Sequence, residues 1–182
     1  MGSSILRLAA EKPKIFTPAL ALESPRRLGV GLPLDGSAVA RARAGELIVQ
    51  TADKASWKNV DVLIDFTAPA ATLQHAKLCA KHGVAMVIGT TGLTKAEAAQ
   101  VRAAATKIPV VMASNMSVGA NLLFALAAQA ARVLSDDYDI EIVEAHHRHK
   151  KDAPSGTAKT LAESIASAKK WDLDACAVYG RE

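Results

Sequence analysis

Long apolar runs, aromatic residues and cysteines are all scarce in this chain of 182 residues, and each scarcity closes off a class of protein. No apolar stretch approaches the roughly 18 residues that a bilayer-spanning helix needs. The N-terminus also lacks the basic-then-apolar pattern of a secretory signal. The sequence therefore reads as cytoplasmic, with no membrane partner. Aromatics make up 4% of the residues, too few for the base-stacking platforms of single-strand nucleic-acid binders. The two cysteines, Cys79 and Cys176, share no metal-ligand spacing, which points to reduced, packed thiols and to no metal site. The net charge of +4 favours an anionic partner, but a small anionic substrate or cofactor satisfies it as well as nucleic acid does.

Half of the residues are hydrophobic, enough for one core or for one domain and part of another. VDVLIDF (Val60 to Phe66), VAMVIG (Val84 to Gly89) and IPVVMA (Ile108 to Ala113) are runs of strand length with little polar alternation. That pattern is expected of parallel strands buried on both faces. Between them lie helical patterns. One opens at Pro69 and closes at Gly83, while another opens with Thr94-Lys95-Ala96-Glu97, which has the form of a capping box. Strand, helix, strand, helix, strand implies right-handed crossovers and an α/β fold, a Rossmann-like doubly wound parallel sheet.

Beyond Asn115 the character changes. A helix is expected over about Val118 to Leu134 with Ser117 as its cap, then a strand DIEIVEA (Asp139 to Ala145), then a helix over about Gly156 to Ala168. The expected domains are 1–115, of nucleotide-binding type, and 116–182, a partial α+β substrate-binding and oligomerisation domain. Near the N-terminus, Ser3 to Ala10 reads as a helix and Ile15 to Glu23 as a strand, although Pro18 cannot donate to a ladder. Residues 24–45 read as a surface loop.

Ligands of open parallel sheets sit beyond the carboxyl ends of the strands. The residues there are Thr67-Ala68-Pro69, Gly89-Thr90-Thr91-Gly92 and Ala113-Ser114-Asn115-Met116, all small or hydrogen-bonding. Each alone is also ordinary turn chemistry, but their joint placement after successive strands describes a cofactor edge. A stronger signal is EAHHRHKKDAPSGTAKT (Glu144 to Thr160). His146, His147, His149, Lys150 and Lys151 make an electropositive loop able to donate protons. A solvated basic loop is the plainer reading. Against it, Ser155, Gly156 and Thr157 follow at a helix start, where free amide N–H groups bind a carboxylate or phosphate.

The block EAHHRHKKDAPSGTA resembles the signature of the dihydrodipicolinate reductases, also called 4-hydroxy-tetrahydrodipicolinate reductases, of the diaminopimelate route to lysine. IDFTAPAAT (Ile64 to Thr72), MVIGTTGL (Met86 to Leu93) and ASNMSVGANLL (Ala113 to Leu123) are similar to further blocks of that family, in its order and spacing. The resemblance implies hydride transfer from NADH or NADPH to a cyclic unsaturated dicarboxylate, with loss of its hydroxyl. It implies His146 as the catalytic histidine, Lys150 as the proton donor, and His147, Gly156 and Thr157 as substrate-binding. Gly89, Thr90, Thr91, Ala113, Ser114, Asn115 and Met116 would contact the cofactor, and Glu23 its adenosine ribose. Glu23 alone favours NADH, while Arg26 and Arg27 could receive a 2′-phosphate, so the choice between the two stays open.

The family's opening strand and most of its glycine-rich loop have no counterpart before Met1-Gly2, and its later strands, through which it forms homotetramers, have none after Glu182. The expectation is a partial or variant reductase, binding nucleotide poorly and turning over slowly, with the family tetramer in doubt. A non-catalytic derivative serving as a binding or assembly partner is the alternative. A different NAD(P)-dependent reductase, or a basic nucleic-acid module using Arg41, Arg43 and the HHRHKK loop, fits the residues less well.

Overall fold

In a computed structural model of the protein, residues 1–26, 30, 47–148, 150 and 153–180 are described. Two compact units divide the chain, Met1–Met112 and Ala113–Glu182, and each is treated by itself.

The first unit opens with helix α1 (Gly2–Ala10), which buries none of its residues. Only Ala21–Leu22 of the expected Ile15–Glu23 strand pairs. It forms β1, parallel to β2 (Val49–Gln50). Ahead of it, Ile15 and Phe16 donate backbone bonds back to the Lys12 carbonyl in a turn, and Pro18 has no N–H to offer a neighbour. Most of the loop expected over 24–45, with Arg27, Arg41 and Arg43, lies outside the described residues.

The central sheet is as expected. β3 (Val62–Asp65), β4 (Ala85–Ile88) and β5 (Val110–Met112) are parallel, in the order β3-β4-β5, with Val62 opposite Ala85 and Met86 opposite Val110. The crossovers are α2 (Pro69–His82) and α3 (Lys95–Ala105). Proline at the first turn of α2 lacks only an N–H that the helix would leave unbonded, and Gly83 closes the helix at φ 72°, a left-handed position that glycine adopts without strain. Thr94 and Glu97 form the expected reciprocal capping box of α3.

A strand order that advances in one direction with right-handed crossovers puts both helices on one face. That face carries the core, in which Ala76 and Cys79 of α2 and Val101 and Ala104 of α3 pack with Val84, Met86, Ile88, Ile108 and Trp57. The other face is not covered among the described residues: Val62, Ile64 and Val111 are exposed. Burial on both faces, read from the continuous apolar runs, is thus met on one. The Cys79 thiol is sealed in the core, and burial pushes its pKa up to about 12, so it is an inert packing group.

In the second unit α4 (Val118–Val133) and α5 (Gly156–Lys169) pack together through Phe124, Ala128 and Ala131 of one and Ala158, Ile165 and Ala166 of the other. Ser117 and Ser155 cap them as expected, each hydroxyl accepting from the backbone N–H three residues on. A short helix, α6 (Leu173–Cys176), follows. The strand expected over Asp139 to Ala145 does not form: the segment joins no ladder, and Val143 is 90% exposed. Its alternating pattern suits a strand, but a strand exists only where a neighbour accepts its backbone bonds.

Candidate active site

At the carboxyl ends of β3 and β4 the chain turns through Thr67-Ala68 and Gly89-Thr90-Thr91-Gly92. The Gly89 N–H donates to the Asp65 carbonyl at 2.8 Å, which carries the ladder one residue past the strands. Gly89 fits closely here for a reason the sequence hides: a β-carbon at this position would collide with the Phe66 ring unless that ring shifted. Thr91 and Gly92 are exposed, and Gly92 sits at φ 80°.

Under these turns lies a polar network absent from the sequence reading. Asp65 is 2% exposed. Its carboxylate accepts the Thr67 hydroxyl at 2.6 Å and meets His75 Nδ1 at 3.2 Å. Thr90 Oγ1 accepts the Thr67 N–H at 3.0 Å and the buried Thr72 hydroxyl at 2.8 Å. Burial works to raise the Asp65 carboxyl. The bonds from His75 and Thr67 outweigh it and hold the group below the ordinary carboxylate value. The only sequence hint was an acidic residue inside an apolar run.

The second unit gathers the remaining candidates. Gly156 and Thr157 are the first two residues of α5, whose opening amide N–H groups have no acceptor within the helix. Glu144, unassigned from sequence, stands between this helix start and the histidines. One of its oxygens accepts the Ser155 N–H at 2.8 Å, and the other lies 3.7 Å from His146 Nδ1. The Ser155 bonds, and then His146 and Lys150, hold Glu144 below the ordinary value. The His147 carbonyl accepts the Lys150 N–H at 3.1 Å, turning the loop so that half-buried Lys150 follows exposed His146 and His147. His149, Lys151 and Asp152 lie outside the described residues.

The segment Ala113 to Met116 is tied to α5. Ser114 Oγ lies 2.7 Å from Thr160 Oγ1, and Asn115 Nδ2 donates to Thr157 Oγ1 at 3.2 Å. The Asn115 side-chain oxygen accepts the Ser117 N–H, and Asn121 donates to the Asn115 carbonyl, so Asn115 is held on three sides. Residues expected on the cofactor side (Ser114, Asn115) and on the substrate side (Thr157) therefore meet within one unit. Met116 is exposed, and Glu23, at the end of β1, donates its N–H to the Gln50 carbonyl.

A parallel sheet whose strand ends carry hydroxyls and glycine, joined in sequence to a cationic loop at a helix start, is the pattern on which the comparisons with known proteins bear. Residues 1–116 match the family model for the dihydrodipicolinate reductase N-terminus, and residues 119–178 match that for its C-terminus. The chain belongs to the dihydrodipicolinate reductase family. It is 53% identical over 182 residues to a protein of Thiobacillus denitrificans named 4-hydroxy-tetrahydrodipicolinate reductase, covering 100% of this chain and 67% of that protein. A protein of the same name from Dechloromonas aromatica is 54% identical over 162 residues, 85% of this chain and 60% of that relative. Among solved structures, the dipicolinate-bound dihydrodipicolinate reductase from Paenisporosarcina sp. TG-14 is similar with a TM-score of 0.57 and 29% identity, over 90% of this chain and 62% of that one. The chain thus spans roughly two thirds or less of these members of the family. No helix among the described residues is long and apolar enough to cross a membrane.

Reductases of this family use a nicotinamide cofactor. The residues present fit one: beyond β3 and β4, the exposed Thr67, Ala68, Thr91 and Gly92 offer hydroxyl and main-chain groups and no bulky side chain.

Proposed function

We propose that this chain carries the chemistry its relatives are named for, the reduction of 4-hydroxy-tetrahydrodipicolinate to tetrahydrodipicolinate with release of water. NADH or NADPH, when bound, supplies the hydride. Gly89, Thr90 and Thr91, with Ala113, Ser114, Asn115 and Met116, hold the nucleotide, and Glu23 takes its adenosine ribose. The first unit and the opening segment of the second, Ala113 to Met116, serve the nucleotide, and the rest of the second unit serves the substrate.

The observation that carries this reading is the start of α5. Gly156 and Thr157 present amides and a hydroxyl suited to a substrate carboxylate, in the same unit as His146, His147 and Lys150. A dicarboxylate needs such a cationic, N–H-rich pocket. His147 binds the substrate, and His146 and Lys150 are its acids: as hydride arrives at the ring, the electron pair that moves away needs a proton, and a lysine ammonium nearby supplies it. Glu144, accepting from Ser155 and 3.7 Å from His146 Nδ1, orients the histidine.

The test is the loss of nucleotide absorbance with 4-hydroxy-tetrahydrodipicolinate supplied, for the wild type and for Lys150→Ala. A proton donor acts in the transition state, so Lys150→Ala is expected to lower kcat by about 100-fold or more with little change in KM. Equal turnover in the two proteins would refute the role of Lys150.

A further inference from the structure

The Asp65–His75 pair is not used by the chemistry above, and as a stabilising feature it is a poor choice. Taking a carboxylate out of water is costly, and apolar residues of similar volume usually serve a core as well or better. Yet Asp65, Thr72 and His75 are all buried where β3 meets α2, beside the wholly apolar cluster of Cys79, Met86 and Ile88. What distinguishes the position is its reach. Asp65 is the last residue of β3 and lies opposite Ile88, the last residue of β4. One residue further the backbone ladder ends with the Gly89 to Asp65 bond. Beyond that point the two turns are joined only by side chains: Thr90 Oγ1 takes the Thr67 N–H at 3.0 Å and the Thr72 hydroxyl at 2.8 Å, while Asp65 fixes the Thr67 hydroxyl at 2.6 Å. His75, one turn along α2 from Thr72, holds the other carboxylate oxygen.

We propose that the buried Asp65–His75 pair is a positioning device for the Gly89-Thr90-Thr91 turn, acting through Thr67, Thr72 and Thr90 to hold it in place for the nucleotide. The inference rests on the reading that this turn contacts the cofactor. A strand end fixed only by backbone bonds frays, because its last groups lack partners. An ionised carboxylate with two donors of fixed direction is stiffer than a hydroxyl contact alone. His75 is therefore a positioning residue: it sets the rotamer of Asp65, Asp65 sets Thr67, and Thr67 with Thr72 sets Thr90.

The test uses the 182-residue chain with His75→Ala, His75→Asn, which retains an N–H donor close to the Nδ1 position, and Val101→Ala. Val101 is buried in α3 outside the network, so it controls for a general loss of stability. Two readouts are taken well below the melting temperature: amide hydrogen exchange at Gly89, Thr90 and Thr91, and NMR shift titrations with NADH and with NADPH. His75→Ala should speed exchange at Gly89 by at least about tenfold and weaken the nucleotide by about tenfold. His75→Asn should recover most of both, and Val101→Ala should move neither. If Gly89 exchanges equally in His75→Ala and Val101→Ala, the pair does not hold the turn and the proposal is wrong. Faster exchange with unchanged nucleotide affinity would likewise overturn it, leaving the cofactor reading intact. A wild-type chain that binds neither nucleotide overturns that reading instead, and with it the purpose assigned here to the pair.

Discussion

Replacing Asp65 by Asn isolates the charge of the buried pair while keeping its shape. The carboxylate accepts two bonds, from Thr67 at 2.6 Å and from His75 at 3.2 Å. Hydrogen bonds to a charged group contribute about 1.5–3 kcal/mol each, and truncating one partner of a buried pair costs about 3–5 kcal/mol. An amide keeps one acceptor oxygen but turns an NH2 group toward the other donor, so a loss of roughly 2–3 kcal/mol at neutral pH is expected. The pH dependence has a definite sign. The folded-state pKa of Asp65 is lowered, so its stabilisation is complete well above the unfolded carboxyl value of about 3.9 and is lost as pH falls through the folded value. The gap between wild type and Asp65→Asn should therefore be widest at neutral pH and close below about pH 4. Urea denaturation followed by Trp57 fluorescence measures it, since Trp57 is buried in the first unit's core, with its Nε1–H on the Ala52 carbonyl. A Trp171→Phe background removes the chain's other tryptophan. A gap that stays constant from pH 7 into the acid range would refute the assigned pairing.

Two further outcomes follow from the site. Gly89→Ala should cost about 1–3 kcal/mol by overpacking against the Phe66 ring, and a second change, Phe66→Leu, should recover much of it in the same urea titration; failure of the second change would mean that the glycine serves something other than Phe66. Thr157→Val should raise KM for the dicarboxylate by about tenfold and also, more weakly, KM for the nucleotide, because it removes the acceptor of Asn115 Nδ2 as well as the proposed carboxylate contact; Thr157→Ser should restore both, and a change confined to the dicarboxylate would show that the Asn115 bond carries no positioning.

Much of the fold was legible because its signals are local. Pro69 and Gly83 bracket α2, Thr94 and Glu97 cap α3, and Ser117 and Ser155 cap α4 and α5, each through groups no more than a few residues apart. What the sequence hid depends on partners distant in the chain. Asp139 to Ala145 alternates as a strand should, but alternation names a face and supplies no neighbour to accept its bonds. Asp65 sits inside VDVLIDF like any strand-end acid, and only the return of α2 brings His75, ten positions later, against it. Glu144 opened the histidine block without an evident role until the turn of the loop carried Ser155 back to it. Gly89 looked like a ligand-facing glycine, and the side chain it accommodates belongs to the neighbouring strand's end.

The ties around Asn115 bear on how the two halves of the chemistry can be kept in register. Hydride transfer requires the donor and acceptor atoms to approach within a few tenths of an ångström of a productive geometry, so errors between the nucleotide-facing and substrate-facing groups translate directly into rate. Two loops hinged independently would leave that error to loop motion. Here Ser114 and Asn115, assigned to the nucleotide, are bonded to Thr160 and Thr157 on α5, whose first turn is assigned to the substrate carboxylate. Asn115 is further held by Ser117 and Asn121 at the start of α4, and α4 packs against α5 through alanines that allow close approach. Of the groups proposed to face the reactants, Ser114, Asn115 and Thr157 thus rest on a single helix pair. Its stiffness comes from short polar bonds at one end and alanine packing along its length, so the register between Ser114, Asn115 and Thr157 is set by α4 and α5 and not by the cationic loop.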